Sequence, residues 1–365
     1  IKGLYADAVF MNPFNRANQN VGYGPLYYDM VEPSFGNAQS LQDTLSALHK
    51  SGFKVGSDAV LTFTPYNSAY YNSDGTWPFA GAAKDENSIW KDMFVFYQWP
   101  NNVHLSWSGP ALDHSSKALQ ELLYTTKNSY MQYYTAAPFN LDSWRFDCGG
   151  WLYGRTDSGY LSDIQVLSVI KKNLQTINPE IFLVSETSSY DSMLSTVWDS
   201  QWNFSLARNW LWDYMKGATN VSTLKQGLNG TLGVYPRPIA LSTYNLLMTH
   251  DHTRQDDQAP AYMDRPGHLI LMTYIGSPSI YYGEEINLER KNDDGIGYDA
   301  SFYAMEWDES NWDRERYNLY KALGELRSKY SALKTGAVRD LVLDNAQNVY
   351  AFGRWDDKGT VITVA

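Results

Sequence analysis

The amino-acid sequence predicts an α/β protein with a (β/α)8 barrel as the favoured architecture. Predicted strands and helices alternate from Gly3 to Lys329, which leaves a barrel or a doubly wound sheet. No GxGxxG motif or P-loop follows a predicted strand, which disfavours the doubly wound alternative. Acidic residues lie at or near the C-terminal ends of several predicted strands, as at the C-terminal mouth of a barrel. They are Asp58, Asp147, Glu186 and Asp251.

The bulk composition excludes some classes of partner. The chain has 365 residues, a formal net charge of −11 and no run of 18 apolar residues, so we expect a soluble protein that binds neither nucleic acid nor a membrane. Aromatic residues make up 15% of the chain, which suits sugar rings but also suits a large core. Its single cysteine, Cys148, excludes an intramolecular disulfide, and no HExxH pattern indicates a metal site.

The first elements form a βαβ unit. Gly3–Met11 is short and apolar and predicts a buried strand. Leu41–Lys50 has helical spacing of leucines and ends before Gly52, a helix stop signal. Phe53–Leu61 predicts the next strand, so these two strands should pair in parallel.

Regular patterns stop between residues 64 and 112, where Asn, Ser, Gly, Pro and aromatic residues dominate. A loop this long inside a compact domain is usually functional. We therefore expect one barrel domain over residues 1–335 that includes 64–112 as an insertion.

Alternation resumes after the insertion. The patterns predict helices at 115–134, 161–177, 268–274 and 312–329, and strands at 141–146, 181–185, 245–249 and 279–282. From Val338 the pattern becomes strands joined by a DDKG turn, which predicts the start of a small β-domain over residues 336–365.

The carboxylates of Asp147, Glu186 and Asp251 require an explanation, because a buried carboxylate is costly unless it is paired. Structural ion pairs are one reading. The other is glycoside hydrolysis with retention, which needs two carboxyl groups about 5–5.5 Å apart. Arg145 lies two residues before Asp147 and so faces the same side of the strand, where it would keep that acid ionised. An ordinary ion pair would give the same sequence pattern.

Several segments resemble the conserved regions of the α-amylase superfamily, glycoside hydrolase family 13. The strings LDSWRFD, LVSE and LMTHD end at Asp147, Glu186 and Asp251, in the order found in that family. GYGPLYYDMVEPSFG and GSPSIYYGEE resemble the loop after the second strand and the eighth strand. WSGPALDHSSKALQELL is similar to neopullulanase and cyclomaltodextrinase-like members.

The resemblance implies a role for each matched residue. Asp147 would be the nucleophile, Glu186 the acid/base and Asp251 the third carboxylate, which favours the distorted sugar ring. The remaining matched positions would bind substrate, Tyr23 by stacking on the sugar. They are Tyr23, Phe63, Arg145, His250 and Arg254.

The third-strand segment departs from the family pattern. Asp58 is retained and would order the strand ends and Arg145. Thr62 stands where the family usually has an Asn that helps to hold calcium, so we expect no required cofactor and no metal at that position. Phe63 replaces a sugar-binding His and either shapes a specialised pocket or only packs there. Gly24 and Thr249 replace a usual Asp and Asn.

The resemblance implies a retaining hydrolase of α-glucosidic bonds in starch-derived, cyclic or branched gluco-oligosaccharides. A transglycosylase would use the same residues, so that alternative stays open. A catalytically inactive glucan-binding relative is a third reading, and the retained carboxylates and Arg145 oppose it. We expect an α-glucan or oligosaccharide partner, a secreted bacterial protein, a first barrel strand before Ile1 and a β-domain that continues past Ala365. The sequence does not predict an oligomeric state.

Overall fold

A computed structural model describes the chain except for residues 19–21, 107–108, 150, 153, 157–158, 161, 188–195, 204–209, 252–260 and 289–301. The chain divides into two compact units. One contains Asp7–Glu186 with Thr196–Asp199, and the other contains Ile1–Ala6, Thr187–Ser195 and Ser200–Ala365. Each unit is described by itself.

A parallel sheet forms the centre of the first unit. Its strands lie side by side in the order Ala8–Met11, Lys54–Ala59, Ser143–Phe146 and Phe182–Ser185. The register is continuous, with Ala59 opposite Phe146 and Phe146 opposite Ser185. Because the strands run in parallel, the residues that follow their C-terminal ends come together at one edge of the sheet.

Two amphipathic helices of this unit follow the sequence prediction closely. Ala38–Lys50 begins with a capping box in which Asn37 and Ser40 bind each other's backbone amides, and it buries Leu41 and Leu45. Asp163–Gln175 begins with a second capping box, made by Ser162 and Gln165. Its buried residues follow the helical period: Val166, Leu167, Ile170 and Leu174.

The helix predicted at 115–134 is interrupted. The structure has a helix over Lys117–Gln120, a π-helical turn over Glu121–Thr125 and a second helix over Tyr130–Thr135. The polar run TKNS at 126–129 breaks the apolar period between the two helices. Gln132 Nε2 donates to the Tyr124 carbonyl at 2.8 Å, which satisfies a backbone group that the break leaves without a helical partner.

The segment 64–112 contains only short elements. A 3-10 turn at Lys91–Met93 is followed by two small antiparallel pairs. These pairs join Phe96–Gln98 to Asn102–Val103 and Leu105–Ser106 to Gly109–Pro110. Its core is aromatic, with Tyr70, Tyr71 and Phe94 all buried.

Two short strand pairs and one 3-10 turn also belong to the first unit. An antiparallel pair joins Asn15–Ala17 to Pro25–Val31, and a 3-10 turn follows at Pro33–Phe35. A second small antiparallel pair joins Arg155–Thr156 to Gly159–Tyr160.

The second unit contains short parallel strands and most of its residues lie in helices and loops. Tyr244–Leu246 pairs in parallel with Ser277–Ser279, and Trp202, just after strand Ser200–Gln201, forms a parallel bridge with Tyr244. The helix predicted at 268–274 begins earlier, at Ala261, and includes Pro266. The other helices and 3-10 turns are Lys2–Leu4, Trp212–Met215, Val221–Val234, Arg237–Ser242, Glu284–Ile286, Glu309–Asn311, Arg314–Lys329 and Ser331–Thr335.

The predicted C-terminal strands form an antiparallel sheet within the second unit. Its strands are Ala337–Asp344, Val349–Trp355 and Thr360–Val364, with the central strand paired to both others. Arg354 on that central strand is fully buried and donates to the carbonyls of Thr273, Gly336 and Ala337. These carbonyls lie at or just beyond the C-terminal ends of two helices, where a cation is favourable.

Across the described residues, each helix is too short or too polar to cross a lipid bilayer.

Candidate active site

Asp147 and Glu186 lie next to each other in the first unit. Each directly follows a strand of the parallel sheet, and the last residues of those strands, Phe146 and Ser185, are paired. Carboxylate oxygens of Asp147 and Glu186 approach within 4.8 Å of each other. The side chains are partly exposed, at 14% and 19%, so solvent or a ligand can reach both acids.

Arg145 connects this pair to the neighbouring strand. Its side chain is fully buried, and its guanidinium donates to Asp147 Oδ1 at 3.2 Å, pairs with Glu186 Oε1 at 2.9 Å and forms a close ion pair with Asp58. Burial alone would lower the pKa of Arg145, but the surrounding carboxylates, Asp58 above all, raise it well above its ordinary value. The guanidinium therefore stays charged and offsets the charge of the acids.

Asp58 is the buried carboxylate of this network. In addition to its ion pair with the Arg145 guanidinium, Asp58 accepts hydrogen bonds from the Tyr23 hydroxyl at 2.7 Å and from the Ala59 backbone N–H at 3.0 Å. Burial raises the pKa of Asp58 to about 8, an effect that the charge of Arg145 opposes. Its position beneath Arg145 fits the ordering role predicted from the sequence.

The backbone is closely packed on both sides of Tyr23, where the neighbouring residues are glycines. Gly22 has a φ of 92°, and a Cβ there would lie 2.3 Å from the Pro13 carbonyl oxygen. A Cβ on Gly24 would lie 1.8 Å from Asn18 Oδ1. The Asn18 side chain would therefore have to move to admit a side chain at position 24, where the family usually has Asp.

Phe63 lies in the junction between the third-strand segment and the insertion. It is 6% exposed and forms an antiparallel bridge with Ala111, and its ring lies 3.2 Å from where a Cβ of Gly109 would stand. This burial favours the packing alternative for Phe63. Nearby, the neutral ring of His114 bonds the Leu61 carbonyl at 2.8 Å and so fixes the same junction.

The position at which the family's Asn would help to hold calcium is occupied by Thr62. Thr62 is buried, and within the part of the chain that the structure describes its Oγ1 has no hydrogen-bond partner. Calcium requires six to eight oxygen ligands, many of them carboxylates. Among the described residues, the one group of three potential side-chain ligands from Asp, Glu, His or Cys is Asp147, Cys148 and Glu186, and it does not include Thr62. Acidic side chains are thus not gathered around Thr62 among the described residues, and calcium independence stays a prediction.

His250 and Asp251 belong to the second unit. His250 is buried beside the rings of Trp202 and Phe302, with its Nε2 3.4 Å from Asp251 Oδ1. The Asp251 side chain is 43% exposed, and its backbone N–H donates to Thr249 Oγ1 at 3.1 Å. Thr249 thus fixes the backbone at Asp251. Convergence of Asp251 with Asp147 and Glu186 stays a prediction, and Arg254 lies outside the described residues.

Cys148 is a site residue that the sequence analysis did not identify. Its backbone N–H donates to Glu186 Oε2 at 2.8 Å, and its Sγ lies 3.5 Å from Asp147 Oδ2. The available signal in the sequence was its position directly after the proposed nucleophile.

The family described as "Alpha amylase, catalytic domain" matches residues 1–336. This chain belongs to the α-amylase family. The match covers the whole first unit and most of the second, so the recognition made from the conserved strings is confirmed.

Curated relatives in the α-amylase family carry enzyme names. The chain is 25% identical over 378 residues to a cyclomaltodextrinase of a Bacillus species, a match that covers 99% of this chain and 62% of the relative. It is 24% identical to neopullulanase 2 of Thermoactinomyces vulgaris, with 97% of this chain and 57% of the relative covered. The chain therefore spans about three fifths of the length of these relatives.

Solved structures show the fold. A cyclomaltodextrinase structure superimposes with a TM-score of 0.83 at 24% identity and covers 99% of this chain and 60% of that one. The cyclic α-maltosyl-(1→6)-maltose hydrolase of Arthrobacter globiformis also gives 0.83, at 18% identity, with 100% and 78% covered. The (β/α)8 barrel with a C-terminal β-domain is thereby confirmed. The missing first strand, the exact domain limits and the role of the insertion stay predictions.

Proposed function

We propose that this chain carries the catalytic residues of a retaining α-glucan hydrolase. The observation that carries the proposal is the separation of Asp147 and Glu186, whose oxygens approach within 4.8 Å. Retaining enzymes hold their two carboxyl groups about 5–5.5 Å apart, whereas inverting enzymes leave about 6.5–9.5 Å for a water molecule. The 4.8 Å limit applies to one oxygen of each acid, and an approach this close is compatible with direct attack by one carboxylate on the sugar.

In the first step, Glu186 protonates the glycosidic oxygen and Asp147 attacks the anomeric carbon. The bond to the leaving sugar breaks, and a glycosyl ester with Asp147 forms. Arg145 supports this step, because its hydrogen bond to Asp147 Oδ1 favours the ionised carboxylate that a nucleophile requires.

In the second step, Glu186 acts as the base. It takes a proton from water, the resulting hydroxide equivalent attacks the anomeric carbon, and Asp147 leaves as a carboxylate. Two displacements restore the original anomeric configuration. Asp251, assisted by His250, would bind sugar hydroxyls and favour the distorted ring.

Tyr23 would provide the stacking surface for the sugar at the cleavage point. Its half-buried ring is fixed by the hydrogen bond to Asp58 and by the tight backbone on either side. A ring held in one orientation loses little conformational entropy when the sugar binds. The Tyr23 ring therefore acts as a pre-organised platform.

The proposed substrates are α-linked gluco-oligosaccharides, including cyclic or branched ones. The names of the relatives support this class: cyclomaltodextrinase, neopullulanase and cyclic α-maltosyl-(1→6)-maltose hydrolase. Their identity to this chain is at most 25% in these matches, so the linkage is the part of the proposal that most needs a direct measurement.

A product profile tests the proposal. The full-length protein is incubated with maltooligosaccharides, pullulan, dextran and cyclodextrins, and the anomer first released is identified by proton NMR. We expect hydrolysis with retention, and loss of most turnover in Asp147→Asn, Glu186→Gln and Asp251→Asn with unchanged circular dichroism. Inverted product, or no turnover of any glucan by the parent protein, would refute the proposal. Products longer than the substrate would identify a transglycosylase instead.

A further inference from the structure

Cys148 contacts both proposed catalytic carboxylates of the first unit. Its backbone N–H donates to Glu186 Oε2 at 2.8 Å, and its sulfur lies 3.5 Å from Asp147 Oδ2. Arg145 donates to the other oxygen of Asp147. Both oxygens of the proposed nucleophile therefore have a hydrogen-bond donor, one of which is the thiol.

The backbone at position 148 would favour a residue without a side chain. Cys148 has a φ of 51°, in the left-handed region where a Cβ is unfavourable and glycine is not. The next residue, Gly149, is closely surrounded, because a Cβ there would lie 2.7 Å from Ser185 Oγ and 3.1 Å from the Glu186 backbone nitrogen. Cys148 therefore carries the side chain of this turn despite its backbone cost.

The thiol of Cys148 is suited to donate. Burial raises the pKa of the Cys148 thiol well above its ordinary value, and the charges of Asp147 and Glu186 raise it further. The sulfur therefore keeps its proton at neutral pH. An S–H group bonded to a carboxylate oxygen is a weak hydrogen bond, and its direction restricts the carboxylate plane.

We propose that Cys148 is a positioning residue for the reaction, its thiol orienting Asp147 while its backbone amide orients Glu186. The inference rests on the proposed hydrolase function. A carboxylate held at both oxygens is fixed in rotation, so the attacking oxygen meets the anomeric carbon without a search for the correct angle.

Three variants separate the thiol from the backbone. Cys148→Ser keeps a donor, Cys148→Ala removes it, and Cys148→Gly removes it while relieving the left-handed backbone. We expect Cys148→Ala and Cys148→Gly to lose roughly 3- to 10-fold in kcat/KM, the loss expected from one weak hydrogen bond. In both variants the acidic limb of the pH profile should move to higher pH, because the charged Asp147 carboxylate loses the thiol as a hydrogen-bond donor. Cys148→Ser should remain near the parent, and Cys148→Gly should melt at a higher temperature than Cys148→Ala.

The infrared S–H stretch gives a readout that does not depend on turnover. The chain has one cysteine, so the S–H band reports Cys148 alone. Asp147→Ala should move the band to higher frequency, because the acceptor is removed. Glu86→Gln, at an exposed acid in the insertion, is the control and should leave the band unchanged.

The results distinguish the two proposals. If the parent protein hydrolyses no α-glucan, the hydrolase function fails and the role of Cys148 fails with it. If the parent is active but Cys148→Gly has parental kcat/KM, the turn needs only its backbone and the Cys148 inference alone is overturned. If the frequency of the S–H band is the same in Asp147→Ala as in the parent protein, the Cys148 inference alone is also overturned.

Discussion

The Tyr23 hydroxyl donates to Oδ2 of Asp58 at 2.7 Å, so the proposed sugar platform is attached to a buried acid of the parallel sheet. Asp58 in turn pairs with Arg145, which contacts Asp147. The platform and the proposed nucleophile are thus linked through one continuous network of hydrogen bonds.

This link predicts a difference between two Tyr23 variants. Tyr23→Phe keeps the ring but loses its anchor, and we expect kcat/KM to fall about tenfold, the effect of one buried hydrogen bond. Tyr23→Ala also removes the stacking surface and should lose on the order of a hundredfold. Tyr27→Phe, in the same hairpin, is the matched control and should resemble the parent. Equal activity of Tyr23→Phe and parent would show that the anchor is dispensable.

Arg145 should be essential to both fold and activity. Arg145→Met leaves Asp58, Asp147 and Glu186 without their shared cation, and breaking such a buried pair costs about 3–5 kcal/mol of unfolding free energy. Arg145→Lys keeps the charge but cannot reach three carboxylates in fixed directions, so kcat/KM should fall on the order of a hundredfold. Urea unfolding and steady-state kinetics measure the two effects.

The pair of Arg16 with Glu32, 3.9 Å apart, offers the comparison for Arg145, because the Arg16 side chain is 37% exposed. Arg16→Met should cost less than about 1 kcal/mol, because pairs near solvent contribute little. An Arg145→Met protein as stable as Arg16→Met would show that the three acids are solvated or protonated and do not depend on the guanidinium.

Phe63 should affect stability more than product choice. Its ring is 6% exposed and packs at the junction with Gly109, so Phe63→Ala should destabilise the fold by about 3–5 kcal/mol. Phe63→His should also lower the melting temperature, while the ratio of products from pullulan and cyclodextrins stays constant. A shift in that ratio with Phe63→His would instead support the pocket alternative.

His114 should make the first unit sensitive to acid. Burial lowers the pKa of His114 to about 4, because the charged ring would lose its solvation. The unfolded chain takes up this proton near pH 6.5 and the folded chain only near pH 4, so stability is full above pH 6.5 and falls as pH drops through that window. The loss amounts to about 3 kcal/mol by pH 4.

His114→Gln should remove that pH dependence. We expect it to be less stable than the parent at pH 7 and to approach the parent near pH 4 in urea unfolding. His49→Gln is the control, since His49 is partly exposed and pairs with Asp142. A parent whose unfolding free energy is flat between pH 4 and pH 7 would contradict the assignment of a neutral buried ring.

Chelation should leave activity intact. Thr62 offers a hydroxyl where the family usually has an Asn that helps to hold calcium, so EDTA should change kcat/KM by less than about twofold. Calcium added back after extensive dialysis should likewise have no effect on the melting temperature. Activity that disappears with EDTA and returns with calcium would show that backbone carbonyls and other groups form a site without the Asn.

Sequence patterns predicted the sheet and its acids because these features depend on local periodicity. Apolar runs marked the strands, and Asp58, Asp147 and Glu186 directly follow or end them, so parallel pairing was enough to predict that they meet. The interruption after Lys117–Gln120 was not predicted, because leucine spacing outweighed the polar run at 126–129 in a single helical window. Cys148 was missed because its contacts arise from a left-handed turn that no period reveals.

Strand Ser143–Phe146 has consequences for any attempt to redesign or transfer this site. Arg145 is directed towards the acids, while Trp144 donates to Thr135 Oγ1 and the Phe146 ring packs 5.0 Å from Trp198. Deleting or inserting a single residue here would turn the indole towards the substrate and bury the guanidinium among apolar groups. Successful grafts must therefore carry the strand and its apolar neighbours as one block.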